Sequence, residues 1–443
     1  MIALVGASSS HGAGCAIAPS QMQESRIRML AHIIAATSAP AFAPELRLLL
    51  ACARKTLRAA DAERIAGLCR EPLDWPLFLR LAARHRVAPL VWRSLKTVGH
   101  TSIPQQTQRD LRQRVETNTL NALTQAAALV RLVRRFEGAG IRVLPLKGPV
   151  LAVQAYGAVE LRHAGDLDLL VDPESVWEVD RLLTDAGYVR AIPDYPLSSG
   201  QAAAFMKIRK DFSYTHAERD IRVELHWRLS PNAYLLPLSL DELWPKRERV
   251  RLGSYGVAAM PRQELVLYLC AHGAHTGWFR LKWLCDLPEL TSHDSGIDMS
   301  QLIVRAHDLG VARMLFQGLL LAHHMLDTPL PDSLSAEMRQ DRTVQSLVHL
   351  ATRALLQDER YWSTDHTPIA WMPTQFRYRL KLRANLRYKW HNAYFYSLWT
   401  EDFRLIRLPD RLFPLYFVLA PFLWVIWVLR QPRKRFLENR QVS

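Results

Sequence analysis

Cysteine is scarce: the 443 residues hold five, Cys15, Cys52, Cys69, Cys270 and Cys285. They are odd in number and show no CxxC or zinc-like spacing, which argues against a disulfide framework and for buried free thiols in a reducing compartment. GxSxG, P-loop and GxGxxG-plus-acid patterns are also missing, so serine-hydrolase, Walker-type ATPase and dinucleotide readings have no footing. HExxH is absent too. His272 and His275 lie three apart on one side of a helix, a placement that suits a nucleobase- or acceptor-facing role better than a zinc site lacking a further ligand. His323 and His324 are adjacent and point apart, as structural residues do. The first 20 residues lack the basic n-region of an export signal, and GAGC lacks the large aliphatic residue of a lipoprotein box. A disordered leader over 1–43, or a true start at Met22 or Met29, explains them better. Acidic side chains are the minority, 42 against 57 Lys and Arg, for a net charge of +15. Such a surface favours phosphate-rich partners or an anionic membrane face, without choosing between them.

What is present is a globular chain, 49% hydrophobic, too long for one ordinary core. Apolar residues at three and four spacing in PELRLLLACARKTL and DWPLFLRLAARHRVAPLVWRSL predict a helical N-terminal unit over 44–135, ending in a long amphipathic helix from about 107 to 138. Residues 136–250 then alternate strand and helix. Strands are expected at 141–146, at the DLDLLV segment, at 212–216 and at 221–229, the last two forming a hairpin through AERD. Beyond Pro261 the pattern returns to helix, giving a C-terminal helical unit over 251–400.

The chemistry concentrates between Val143 and Val171, VLPLKGPVLAVQAYGAVELRHAGDLDLLV. Residues two apart on a strand share a face, so Asp166 and Asp168 aim together while Leu167, Leu169 and Val171 aim the other way. Two carboxylates side by side repel unless a cation sits between them or one is protonated. A second alternating strand, IRVELHWRL, places Glu224 and His226 on one face, Glu224 as a third candidate ligand, His226 as a supporting group, and Trp227 toward the core. Lys147 and Gly148 form a turn where a helix starting at Pro149 aims its free amides at an anion. Arg162 can reach a phosphate or pair with Glu160 or a surface acid. Lys207, Arg209 and Lys210 form a basic cluster that suits a triphosphate, an acceptor or plain solvent.

Taken in order, strand, Lys-Gly turn, helix, GDLDLLV and VELHW resemble the uncharacterised nucleotidyltransferase family of the polymerase-beta-like nucleotidyltransferase superfamily. DWPLFLRLAARHRVAPLVW upstream and LCAHGAHTGWFRLKWLCDLPEL downstream resemble its helical segments, so the likeness spans about residues 70 to 300. It implies an α+β fold, a small mixed β-sheet core flanked by helical regions. It also implies two Mg²⁺ ions, or Mn²⁺ in their place, held by Asp166, Asp168 and Glu224, with Glu224 helping to deprotonate the acceptor. Lys147, Gly148, Arg162, Lys207 and Lys210 would serve the nucleotide. The reaction implied moves an NMP from an NTP to an acceptor hydroxyl, in a small molecule, saccharide or protein, and releases pyrophosphate. One departure is plain: the superfamily's usual Gly-Ser is here Lys147-Gly148-Pro149, a variant shared with the family it resembles.

Two rivals use the same residues. A strand-terminal DxD also binds nucleotide-sugars through Mn²⁺ in GT-A glycosyltransferases, but the helical stretch before Ile141 leaves no room for their parallel sheet. A non-catalytic membrane-associated nucleotide-binding scaffold would more naturally have lost one of the three acids. Nucleic-acid binding by charge alone is weaker, because the aromatic stretches look like core. The tail, 401–443, carries an uncharged run from 412 to 429, LFPLYFVLAPFLWVIWVL. It is flanked by Arg404, Arg407 and Arg411 before and by Arg430, Arg433, Lys434 and Arg435 after, and broken by Pro414 and Pro421. Such a run suits an interfacial or re-entrant helix, a short span, or a buried helix. The expectation is a cytoplasmic protein touching the inner face of the cell membrane through 404–435.

Overall fold

Apolar residues returning every three or four positions build the first helices: α1 Pro44–Cys52, α2 Ala59–Leu68, α3 Trp75–His85 and α4 Ala88–Val98. In the computed structural model, described over residues 42–99, 102–292, 296–330, 338, 340–356, 372–395 and, between 402 and 426, all but 407, 421 and 424, the leader lies almost wholly outside the described residues. Asp74 starts α3, its carboxylate accepting from the Leu77 amide at 2.8 Å, the role of an N-cap. Arg86 ends it in the left-handed region, φ 57, an uncommon conformation for a residue with a Cβ. Then α5, Gln105–Gly138, runs 34 residues. Its Ala128, Leu129, Leu132, Val133 and Phe136 are buried in the core of the sheet.

The sheet follows as β1 Val143–Pro145, α6 Gly148–Tyr156, β2 Leu167–Val171, α7 Val176–Asp185, β3 Val189–Ile192, α8 Ser199–Ile208, β4 Asp211–His216 and β5 Ile221–His226. Strand order is β1-β2-β5-β4-β3. Only the central β2–β5 pair is parallel; the other pairs are antiparallel. One face packs Leu167, Leu169, Val171, Ile221, Val223 and Leu225 into the core with Phe212 and Tyr214, which leaves the alternate residues of β2 and β5 to the other face. The fold is α+β: a small mixed sheet between helical regions, as the resemblance implied.

Two details differ from the sequence expectation. The last strand stops at His226 and not at 229, because Trp227 and Arg228 turn to α8, both donating to the Met206 carbonyl. A second hairpin, β6 Glu248–Leu252 with β7 Tyr255–Ala259, follows the expected last strand and straddles the expected end of the core at 250. Helices then resume: α9 Arg262–Thr276, α10 Leu281–Leu290, α11 Met299–Asp308, α12 Ala312–Leu326, α13 Arg342–Leu356, α14 Met372–Lys381 and α15 Leu386–Phe395. Among the described residues no helix is long and apolar enough to cross a membrane. The thiols of Cys52, Cys270 and Cys285 are buried and free; Cys15 lies outside the described residues.

Candidate active site

Strand pairing sets the site. In the parallel β2–β5 ladder Asp168 stands opposite Glu224, so two carboxylates from distant segments share one face of the sheet. His226, two residues on, is fully buried on that face and its Nε2 lies 3.2 Å from Glu224 Oε2 and 3.3 Å from Asp168 Oδ1. Among the described residues these three alone come close enough to share a metal ion. Asp166 lies one residue before β2 and lines the same cleft. Its Oδ1 is ion-paired with Arg222 Nε at 3.0 Å, without hydrogen-bond geometry.

Neighbouring helices fix the approach to β2. From α5, Asn118 donates to the Glu160 carbonyl at 3.1 Å and accepts from the Ala164 amide at 3.0 Å, and Gln125 donates to the Gly165 carbonyl. On the opposite side of the cleft Gly148 takes φ 67 as the first residue of α6, a conformation that glycine adopts without steric cost. A Cβ there would lie 3.6 Å from the Asp166 carbonyl oxygen, so the backbone of the turn passes close to the chain that leads into β2. This is the turn expected at Lys147-Gly148, with a helix N-terminus behind it.

Cations surround the acids. Lys147 Nζ lies 3.0 Å from Asp168 Oδ1, and Lys210 Nζ lies 2.9 Å from Asp211 Oδ2 and 3.3 Å from Glu224 Oε2. Burial alone would raise the pKa of Asp168, but Lys147 and His226 outweigh it and hold the carboxyl well below the usual range. Burial likewise acts against ionised Glu224, and Lys210 and His226 overcome it. Asp166 moves the other way: burial pushes its pKa up, despite Arg222. His226 is raised; burial opposes its charge, and hydrogen bonds to both carboxylates overcome that.

The cleft, about 220 Å³, is closed by a wall from the two helical regions: Arg86 at the end of α3, and Arg280, Lys282 and Trp283 at the start of α10. The Leu281 amide donates to His85 Nδ1 at 3.3 Å, tying the two segments together. Burial, with Arg162 and Arg86 nearby, pushes the Lys282 pKa well down. A cluster of like charges of this kind is an electrostatic receptor for an anion. Another cavity, about 140 Å³ beside Ile192 and Tyr195, holds a single acid, Asp194, which pairs with Arg404 at 3.3 Å; it offers no comparable chemistry.

Of the residues singled out in the sequence, the structure brings Asp166, Asp168, Glu224, Lys147, Gly148 and Lys210 to one cleft. Lys207 is exposed on the last turn of α8 and does not line it, because the helix ends at Ile208 and the chain turns before Lys210. Arg162 does line the cleft, but its guanidinium is given to an acid. Nε and Nη2 each lie 3.0 Å from an oxygen of fully buried Asp286, which also accepts from the Tyr156 hydroxyl at 3.0 Å. His272 reaches the cleft wall, edge-on to Trp283 at 5.3 Å between ring centroids. Arg86, Arg280 and Lys282 were missed as site residues; the one signal was their place in the two helical segments that flank the core motifs.

A small mixed sheet with carboxylates facing each other on its two central strands, opposite a glycine turn at a helix N-terminus, defines the class of nucleotidyltransferase cores. Residues 71–327, more than half of the chain, match the family model described as Uncharacterised nucleotidyltransferase; the chain belongs to that family and carries its nucleotidyltransferase domain. No curated protein and no solved structure matches it.

Proposed function

We propose that the cleft transfers an NMP from an NTP to an acceptor hydroxyl and releases pyrophosphate. The observation that carries this is the in-register Asp168–Glu224 pair, with Asp166 beside it and the Gly148 turn across from it. The donor set fits a hard divalent cation. All three acids offer oxygen, and Asp168 and Glu224 are held ionised. Asp168 and Glu224, close enough to share an ion, would hold Mg²⁺, and Asp166 would join them by exchanging Arg222 for the metal; the metal would supply charge neutralisation and a lowered pKa for the attacking hydroxyl.

The chain's own residues do the rest. The free amides at the start of α6 point their positive end at an anion. Lys147 and Lys210, ion-paired to the carboxylates, are cations within reach of an arriving triphosphate. Arg86 and Arg280, which line the same cleft, attract the polyanion, and its arrival would favour the charged form of Lys282 beside them. Lys210 and His226 hold Glu224 in its ionised form, the form that a metal ligand needs.

Calorimetry with each of the four NTPs, with and without Mg²⁺, tests the proposal against an Asp166→Ala/Asp168→Ala double variant. Binding that requires both the metal and the aspartates supports it and names the base. Binding indifferent to both would return the cleft to the scaffold alternative, and no binding of any NTP to the folded wild type would favour the nucleotide-sugar reading.

A further inference from the structure

The last described stretch is apolar on two sides. Residues 415–420, 422–423 and 425–426 are helical, and Tyr416, Ala420 and Leu423 form one buried stripe along them. Leu415, Val418, Phe422 and Val425 form a second stripe at the same spacing, and it is exposed, Val418 by 63% and Phe422 by 67%.

The inner stripe is accounted for by the protein. Tyr416 packs against Phe403 and Phe413, ring centroids 4.9 and 5.3 Å away. Its hydroxyl accepts from Gln201 Nε2 and from the Leu408 amide, both at 3.1 Å, and donates to the Ile406 carbonyl. Asp410 fastens the same stretch to the start of α8, accepting from the Gly200 amide at 3.0 Å and from the Ser198 hydroxyl. A helix tied down in this way presents its outer stripe as a fixed surface. Leu412, Phe417 and Ile426 widen it. Scattered exposed apolar residues need no explanation, but a contiguous set on one short stretch marks an interaction face.

We propose that this outer stripe docks on an anionic lipid leaflet, the helix lying in the interface while its inner stripe stays on the protein. Charge selects lipid as the occupant. Arg411 is exposed beside the stripe, and the sequence continues after the uncharged run with Arg430, Arg433, Lys434 and Arg435 in a chain of net charge +15. A second copy carries the same net positive charge and would be repelled, whereas an anionic surface attracts it. The contact is peripheral: apolar faces of this kind enter the interface by about 5–10 Å.

Sedimentation of the full-length protein with phosphatidylglycerol/phosphatidylcholine vesicles, beside pure phosphatidylcholine vesicles, tests this directly. The wild type is expected to bind the anionic vesicles at least about ten-fold more tightly than the neutral ones. Val418→Glu/Phe422→Glu should lose most of that binding while keeping the wild-type unfolding midpoint, since both side chains point away from the core. Equal sedimentation of variant and wild type would overturn the proposal, as would a wild type left in solution by the anionic vesicles. A wild-type dimer that the double variant turns into a monomer would assign the face to a second copy instead.

Discussion

Asp168 is the residue on which the site turns, because Lys147, His226 and the partner strand's Glu224 all meet it. Asp168→Asn keeps the size of the side chain and the β2 register while removing its charge. The proposed Mg²⁺-dependent transfer should fall by about two to three orders of magnitude, with the circular dichroism of the wild type retained. A rate like the wild type's would remove Asp168 from the metal assignment. Arg162 and Asp286 make a separate case, a buried pair with no function as a free phosphate ligand. Asp286→Asn strands a buried guanidinium and should cost about 3–5 kcal/mol of stability by chemical denaturation, much of which an Arg162→Met/Asp286→Asn double variant recovers. Of these roles the sequence displays only some. Asp168 and Glu224 announce themselves by alternation within apolar strands, whereas Arg162 and Asp286 lie 124 residues apart, and nothing local in either segment marks the other.

At the scale of elements, alternation was legible wherever one face of a strand enters the core, as in β2 and β5. The β6–β7 hairpin went unseen because it follows the expected last strand of the core and precedes a strongly helical run. Its own alternation in ERVRL, Val250 and Leu252 in and Arg249 and Arg251 out, was nonetheless present. The tail shows the other kind of miss: an uncharged run gives length and hydrophobicity, but not which of its faces the protein itself covers. Cutting the chain before Arg404 would therefore strip Tyr416 and Asp410 from α8 as well as the apolar stripe, so point substitutions on the outer face are the cleaner probe. Packing between α9 and the residue after its C-cap gives a further prediction. A Cβ on Gly273 would stand 2.6 Å from the fully buried ring of Trp278. Gly273→Ala should destabilise the fold by about 1–3 kcal/mol in a denaturant titration, and a neutral result would mean that the ring has room to shift.

For the whole molecule, the sequence shows two helical regions around a core but gives no sign that they touch across it. His85 on α3 and Leu281 on α10 make that junction, and the cleft wall depends on it. Burial does most to depress the pKa of His85, His163 and His275, each to about 3, with neighbouring cations adding to it: Arg84 and Arg280 at His85, Lys282 and Arg86 at His163, Arg379 and Lys210 at His275. In the unfolded chain a histidine titrates at about 6.5. Between those values the unfolded state binds protons that the native state refuses, so stability falls as the pH drops from about 6.5 toward 3. His226 has the opposite sense, since its folded pKa is raised; its contribution is present at low pH and lost as pH rises. The useful window is pH 6.5 to 5, above the range in which ordinary carboxylates, at about 4, take up protons. There, His85→Asn, whose amide oxygen takes the place of Nδ1 and can still accept from the Leu281 amide, should flatten the fall of stability with pH by about one proton's share of the slope. Urea titrations at half-unit pH steps measure that slope, and one identical to the wild type's would show that His85 is not among the groups that make the junction acid-labile.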